Sequence, residues 1–68
     1  MKNSIRGIRK ILKISQEELA NKCNVTRQTI HAIENDKYDP TLALAFKLSK
    51  NLKTPIEKLF TFEEEGNK

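Results

Sequence analysis

The stretch Ser15-Gln16-Glu17-Glu18-Leu19-Ala20-Asn21-Lys22-Cys23-Asn24-Val25-Thr26-Arg27-Gln28-Thr29-Ile30-His31-Ala32-Ile33-Glu34-Asn35 carries two complete sets of helix signals joined by a tight turn. Ser15 followed three residues later by Glu18 is a capping box, in which the hydroxyl accepts from the Glu18 amide while the Glu18 side chain reaches back. Leu19, Ala20 and Cys23 supply the apolar face of the helix it opens. Asn24 stands where a left-handed residue is wanted to stop that helix, and Asn tolerates positive φ better than any residue but Gly. Val25 plugs the turn and Thr26 offers a second N-cap. Residues 27–35 follow as another helix, with Ile30 and Ile33 on its inner face. Ala20 is small enough for the two helices to cross closely, and neither contains a Pro.

Working outward, Ile5, Ile8, Ile11 and Leu12 give the N-terminal segment the spacing of an amphipathic helix, slightly weakened by Gly7. The breaker-rich run Asn35-Asp36-Lys37-Tyr38-Asp39-Pro40 is a loop in which Tyr38 is expected to lay its ring on the core. Thr41 caps a helix whose Leu42, Leu44, Ala45, Phe46, Leu48 and Leu52 make it the expected spine of the core. In Thr54-Pro55-Ile56-Glu57, an N-cap, a Pro in the first turn and an acid open a short fifth helix through Phe60. Alternation over Leu59 to Glu63 then suits a short strand, and the run Glu63-Glu64-Glu65 reads as a solvated tail.

Sixty-eight residues make one small domain, spanning 1–68 with its core in 4–60 and a short strand and acidic tail in 61–68. The lone Cys23 excludes an intrachain disulfide and a cysteine-based metal site, and fits a small buried hydrophobe. No apolar run is long enough to span a membrane, and the N-terminus does not resemble a signal peptide, so an unexported protein is expected. With one His and no Gly-rich phosphate loop, the sequence lacks the means of an enzyme and calls for no metal or cofactor. Residues 1–56 hold 11 Lys and Arg against 5 Asp and Glu, whereas residues 57–68 hold 2 against 4. A basic folded body with an acidic end points to a polyanionic partner.

On a helical wheel started at Arg27, His31 falls at about 40°, Asn35 at about 80°, Gln28 at about 100° and Ala32 at about 140°. Ile30, Ile33 and Thr29 occupy the opposite side, with Glu34 at the edge. Arg pairs with guanine and Gln or Asn with adenine through two hydrogen bonds each, so this face suits base edges in a major groove. Two short capped helices about a three-residue turn form a helix-turn-helix, and residues 15–35 resemble the lambda/434-repressor and xenobiotic-response-element (Cro/C1-type) regulators. The compact length, the loop at 35–40 and the ending Leu59-Phe60-Thr61-Phe62 are similar to the cytolysin-repressor type.

That resemblance implies an all-α, five-helix lambda-repressor-like domain, extended by a small antiparallel β-sheet from the chain ends. It further implies a cytoplasmic, homodimeric regulator of bacterial, phage or archaeal type, nucleoid-associated and usually a repressor, bound to double-stranded DNA. Carried over by position, Gln16 matches a phosphate anchor beside a helix N-terminus. Thr26, Arg27 and Gln28 match base- or backbone-reaching positions, with His31 and Ala32 a turn further in. Asn35 and Lys37 match a phosphate-touching loop, and Arg9 and Glu34 match a structural ion pair. Ile56, Phe60 and Phe62 offer more apolar surface than one terminal segment hides, which assigns them to a dimer contact. Two copies would address an inverted repeat with half-sites about 34 Å apart. An antitoxin-type regulator that also binds a partner protein is the alternative, and residues 61–68 are short for a dedicated binding arm. An unspecific DNA-packaging protein fits less well, given the modest +4 charge.

Overall fold

Left-handed residues close four helices in this chain, and none of them is Gly: Lys13 (φ 60°), Asn24 (φ 61°), Asp36 (φ 61°) and Lys53 (φ 54°). The computed structural model describes residues 1–62. The order is β1 (Lys2–Asn3), α1 (Ile5–Ile11), α2 (Gln16–Cys23), α3 (Arg27–Glu34), α4 (Leu42–Leu52), α5 (Ile56–Leu59) and β2 (Phe60–Thr61). The five helices and the small sheet match the architecture that the resemblance implies. The acidic run Glu63-Glu64-Glu65 lies outside the described residues.

Three helices start on hydroxyl caps. Ser15 Oγ accepts from the Glu18 amide at 3.0 Å, Thr26 Oγ1 from Thr29 at 3.2 Å and Thr41 Oγ1 from Leu44 at 3.1 Å, each satisfying a first-turn donor that the helix itself cannot. The fifth helix departs from its expected start. Pro55 takes the cap position without a side-chain bond, and the Thr54 hydroxyl donates backwards to the Leu52 carbonyl at 2.9 Å. The closure of α4 holds Thr54 there, because its amide donates to Ser49 O at 3.1 Å and its carbonyl accepts from Ser49 Oγ at 2.6 Å.

Ile5, Leu19, Ala20, Cys23, Ile30, Ile33, Leu44, Leu48, Leu52 and Leu59 form the buried cluster, with Ile8, Ile14, Val25 and Phe60 packed around it. Two apolar expectations need correction. Ile11 is 78% exposed, because the inner face of α1 is set by Ile5 and Arg9 and Ile11 lies about 200° round the helix from Arg9. In α4 the buried stripe repeats every fourth residue through Leu44, Leu48 and Leu52, which turns Leu42 and Phe46 outward together. Tyr38 is exposed as well. The end of α3 is closed by Asn3, whose Nδ2 donates to Ile33 O at 2.8 Å and to Asp36 Oδ1 at 3.4 Å.

The sheet pairs the chain ends antiparallel, Lys2 with Thr61 and Asn3 with Phe60. Its second strand starts one residue later than the alternation suggests, because Leu59 completes α5 and is fully buried.

Candidate nucleic-acid interface

The outward side of α3 begins at its cap. Thr26 holds the Thr29 amide, and its hydroxyl also lies 3.1 Å from Thr29 Oγ1, which fixes the first turn. From that turn Arg27 and Gln28 extend into solvent, with His31 one turn on, and the three line a single open depression together with Thr26. Arg27 also borders an adjoining depression made with Arg9, Ser15, Gln16 and Glu17 at the start of α2. Ala32 is half-buried, whereas Asn35 at the end of α3 and Lys37 beyond it are exposed. The Lys37 amide donates to Ala32 O at 2.9 Å, so the loop stays against the helix it leaves.

Behind this face sits a carboxylate with no side-chain exposure. Arg9 donates from Nε to Glu34 Oε2 at 2.7 Å and from Nη2 to Oε1 at 3.2 Å, a bidentate pair tying α1 to the end of α3. Arg9 Nη1 donates further to Ile14 O at 3.0 Å. Gln16 Nε2 donates to Glu34 Oε1 at 3.0 Å, so the side chain matched to a phosphate anchor has its amide orientation set from inside the protein. Arg6 adds a weaker contact, Nε to Oε1 at 3.4 Å. Burial pushes the Glu34 carboxyl up, but hydrogen bonds from Arg9 and Gln16, the Arg9 charge and the Arg6 contact outweigh it, leaving the net pKa below the ordinary carboxylate value. The carboxylate is a hub for α1, α2 and α3. Arg6 escaped the sequence analysis, although its i, i+3 spacing from Arg9 places the two cations along one face of α1.

A third depression is apolar. Met1, Pro40, Leu42, Ala45, Ile56 and Phe60 line it, bringing two of the residues assigned to a dimer contact together with four that were not. Phe62 follows beyond them and is 71% exposed. The N-terminal ammonium holds Met1 at this edge through a 3.0 Å ion pair with Asp39. Cys23 is buried on the far side of α2, where burial pushes its thiol pKa up against the hydrogen bond from Asn51 Nδ2 at 3.7 Å and the nearby Lys47 charge. Among the described residues no cluster of His, Cys, Asp and Glu could hold a metal ion, and no helix is long and apolar enough to cross a membrane.

The helix-turn-helix family model matches residues 5–59, all five helices of the fold. The chain belongs to the Cro/C1-type helix-turn-helix transcriptional regulators. This regulator is 48% identical over 65 residues to an uncharacterized helix-turn-helix-type transcriptional regulator of Methanocaldococcus jannaschii, covering 96% of this chain and 98% of that one. It is 43% identical over 66 residues to another such protein of Bacillus subtilis, with 97% and 100% covered. Among solved structures, the restriction-modification controller protein C.AhdI from Aeromonas hydrophila superposes with a TM-score of 0.76 at 27% identity, covering 82% of this chain and 85% of that chain. The hypothetical transcription factor NHTF from Neisseria gives 0.74 at 27% identity, covering 81% and 62%. The regulator is accordingly a DNA-binding protein by its domain and not an enzyme.

Proposed function

We propose that this regulator binds an inverted-repeat operator as a homodimer in the cytoplasm and represses the promoter it covers, with α3 of each copy in a major groove. The observation that carries the proposal is the shared exposure of Arg27, Gln28 and His31 on one side of a helix capped at Thr26. These side chains are long enough to reach base edges, and they stand on a rigid element. Gln16, Thr26 and Lys37 flank them and contact the phosphates, Asn35 supports them with its amide hydrogens turned to His31, and Ala32 leaves room for a base edge one turn in. The apolar depression at Leu42, Ile56 and Phe60 is the two-fold contact, continued by Phe62. None of its lining residues lies on α2 or α3, so a second copy seated there leaves both reading helices free.

Selection of bound duplexes from a random pool, with the protein's mass recorded in solution at the same concentration, tests this. An enriched inverted repeat bound by a dimer is expected. A folded protein that enriches no sequence would exclude the operator function.

A further inference from the structure

Arg6 lies outside the helix-turn-helix, shares Glu34 Oε1 with Gln16, and has contacts that end on the reading face. Its side chain is half-exposed, with Nε on Glu34 Oε1 at 3.4 Å and Nη2 donating to Asn35 Oδ1 at 3.2 Å. Asn35 Nδ2 in turn donates to the His31 carbonyl at 2.8 Å and meets His31 Nε2 at 3.3 Å. The orientation of the Asn35 amide is therefore determined twice. A guanidinium can only donate, so the atom facing Arg6 must be the oxygen, and a carbonyl can only accept, so the atom facing His31 O must be the nitrogen. With an amide NH2 opposite it, His31 Nε2 must be the acceptor. In the neutral ring the proton then sits on Nδ1, which has no partner among the described residues.

We infer that Arg6 is a positioning residue for DNA recognition: through Asn35 it holds His31 in the Nδ1–H tautomer, so that the exposed ring offers a donor to the major groove. This rests on the contact between α3 and DNA proposed above. A donor at this place favours a base that presents an acceptor, purine N7, guanine O6 or thymine O4, over the cytosine amino group. Glu34 supplies the fixed end of the relay, since its buried carboxylate meets the Arg6 guanidinium at Nε. The spacing His31 to Asn35 is i, i+4, which keeps the amide and the ring in register along the helix.

His31 is the only histidine in the chain, so its ring nitrogens can be observed without ambiguity. The full chain, free of DNA and at about pH 8.5, where an ordinary imidazole is neutral, is examined by long-range proton–nitrogen NMR. The wild type should show mainly the Nδ1–H form; Asn35→Ala should lose that dominance, and Arg6→Ala should reduce it, because the amide is then tied by the His31 carbonyl alone. Arg6→Lys keeps a donor-only cation facing Asn35 and should restore it. A ring that keeps its tautomer in Arg6→Ala overturns the relay. Duplex selection with the same proteins then reads the consequence. In Arg6→Ala the preference at the base pair facing His31 should fall by roughly three- to ten-fold, the worth of one hydrogen bond, beyond any loss common to all duplexes. A loss shared equally by every sequence would reduce Arg6 to a phosphate contact and overturn the inference. If the tautomer responds but the wild type selects no duplex, the operator proposal fails and the specificity role fails with it.

Discussion

Glu34 has no exposed side-chain surface, yet its carboxyl titrates below the ordinary value of 4.5, because donors from Arg9, Gln16 and Arg6 outweigh the burial that opposes its charge. A carboxylate whose folded pKa is depressed stabilises the fold above its unfolded pKa, and that stability is lost as pH falls through the folded value. Stability measured by urea unfolding should therefore hold above about pH 5 and fall towards about pH 3, and Glu34→Gln should remove that part of the slope. At neutral pH, Glu34→Gln leaves Arg9 almost buried without its counter-charge and should cost about 3–5 kcal/mol, much of the stability expected for so small a domain. An equal loss in the double variant Arg9→Met/Glu34→Gln would mean that the burial of an unpaired charge is not the cause. Arg27 is exposed and belongs to no such network, so Arg27→Ala should leave unfolding unchanged. It should weaken the selected duplex by about 1–3 kcal/mol at one base pair and relax the choice there, as read by competition against single-base variants. Equal weakening on random DNA would remove it from base contact.

At the scale of the helices, the legible features are local ones. Ser15, Thr26, Thr41 and Asn24 act through hydrogen bonds and backbone angles within a few residues, and a three-residue pattern is enough to place them. The polar face of α3 was legible for the same reason, since the helical period alone puts Arg27, Gln28 and His31 on one side. What escaped depends on distant chain. Thr54 is the local exception, claimed by the closure of α4 two and five residues back, whereas the Asn3 donor that closes the end of α3 comes from 30 residues away. The Gln16 and Arg6 contacts to Glu34 join residues 18 and 28 positions apart, and no local pattern announces them. A seven-residue α1 is too short for its apolar content to say which side is inner, which is why Ile11 misleads. The helix endings that fall on lysine, Lys13 and Lys53, also stand out energetically. Lys53 is left-handed at the end of α4, a conformation that costs a residue with a Cβ roughly 1–2 kcal/mol, whereas Asn24 in the same role is better suited. Lys53→Gly should stabilise the fold by about 0.5–1 kcal/mol after the added chain entropy of Gly, and Asn24→Gly by less. A thermal melt of the two variants checks the order.

At the scale of the whole molecule, the question is which surface brings two reading helices into register on DNA. Two of the exposed apolar side chains, Met1 and Leu42, line one depression with the start of α4 and the end of α5, and Leu42 is 71% exposed there, whereas Ile11 and Leu12 on α1 do not line it. Leu42 is also the first residue of α4, directly after the Thr41 cap. An acid is favourable at a helix N-terminus by about 0.3–1 kcal/mol, so Leu42→Glu should leave the monomer as stable as before or slightly more so. Across a two-fold contact, however, the same change sets two carboxylates against apolar surface, and burying an unpaired charge there is strongly opposed. Mass measurements across a dilution series should therefore show Leu42→Glu as a monomer where the wild type is a dimer. Binding to the full inverted repeat should weaken many-fold, whereas a single half-site should bind as before, because nothing on α3 has changed. Unaltered dimer mass would place the two-fold elsewhere. Unaltered binding to the full repeat by a monomeric variant would mean that DNA, rather than the apolar depression, aligns the two copies.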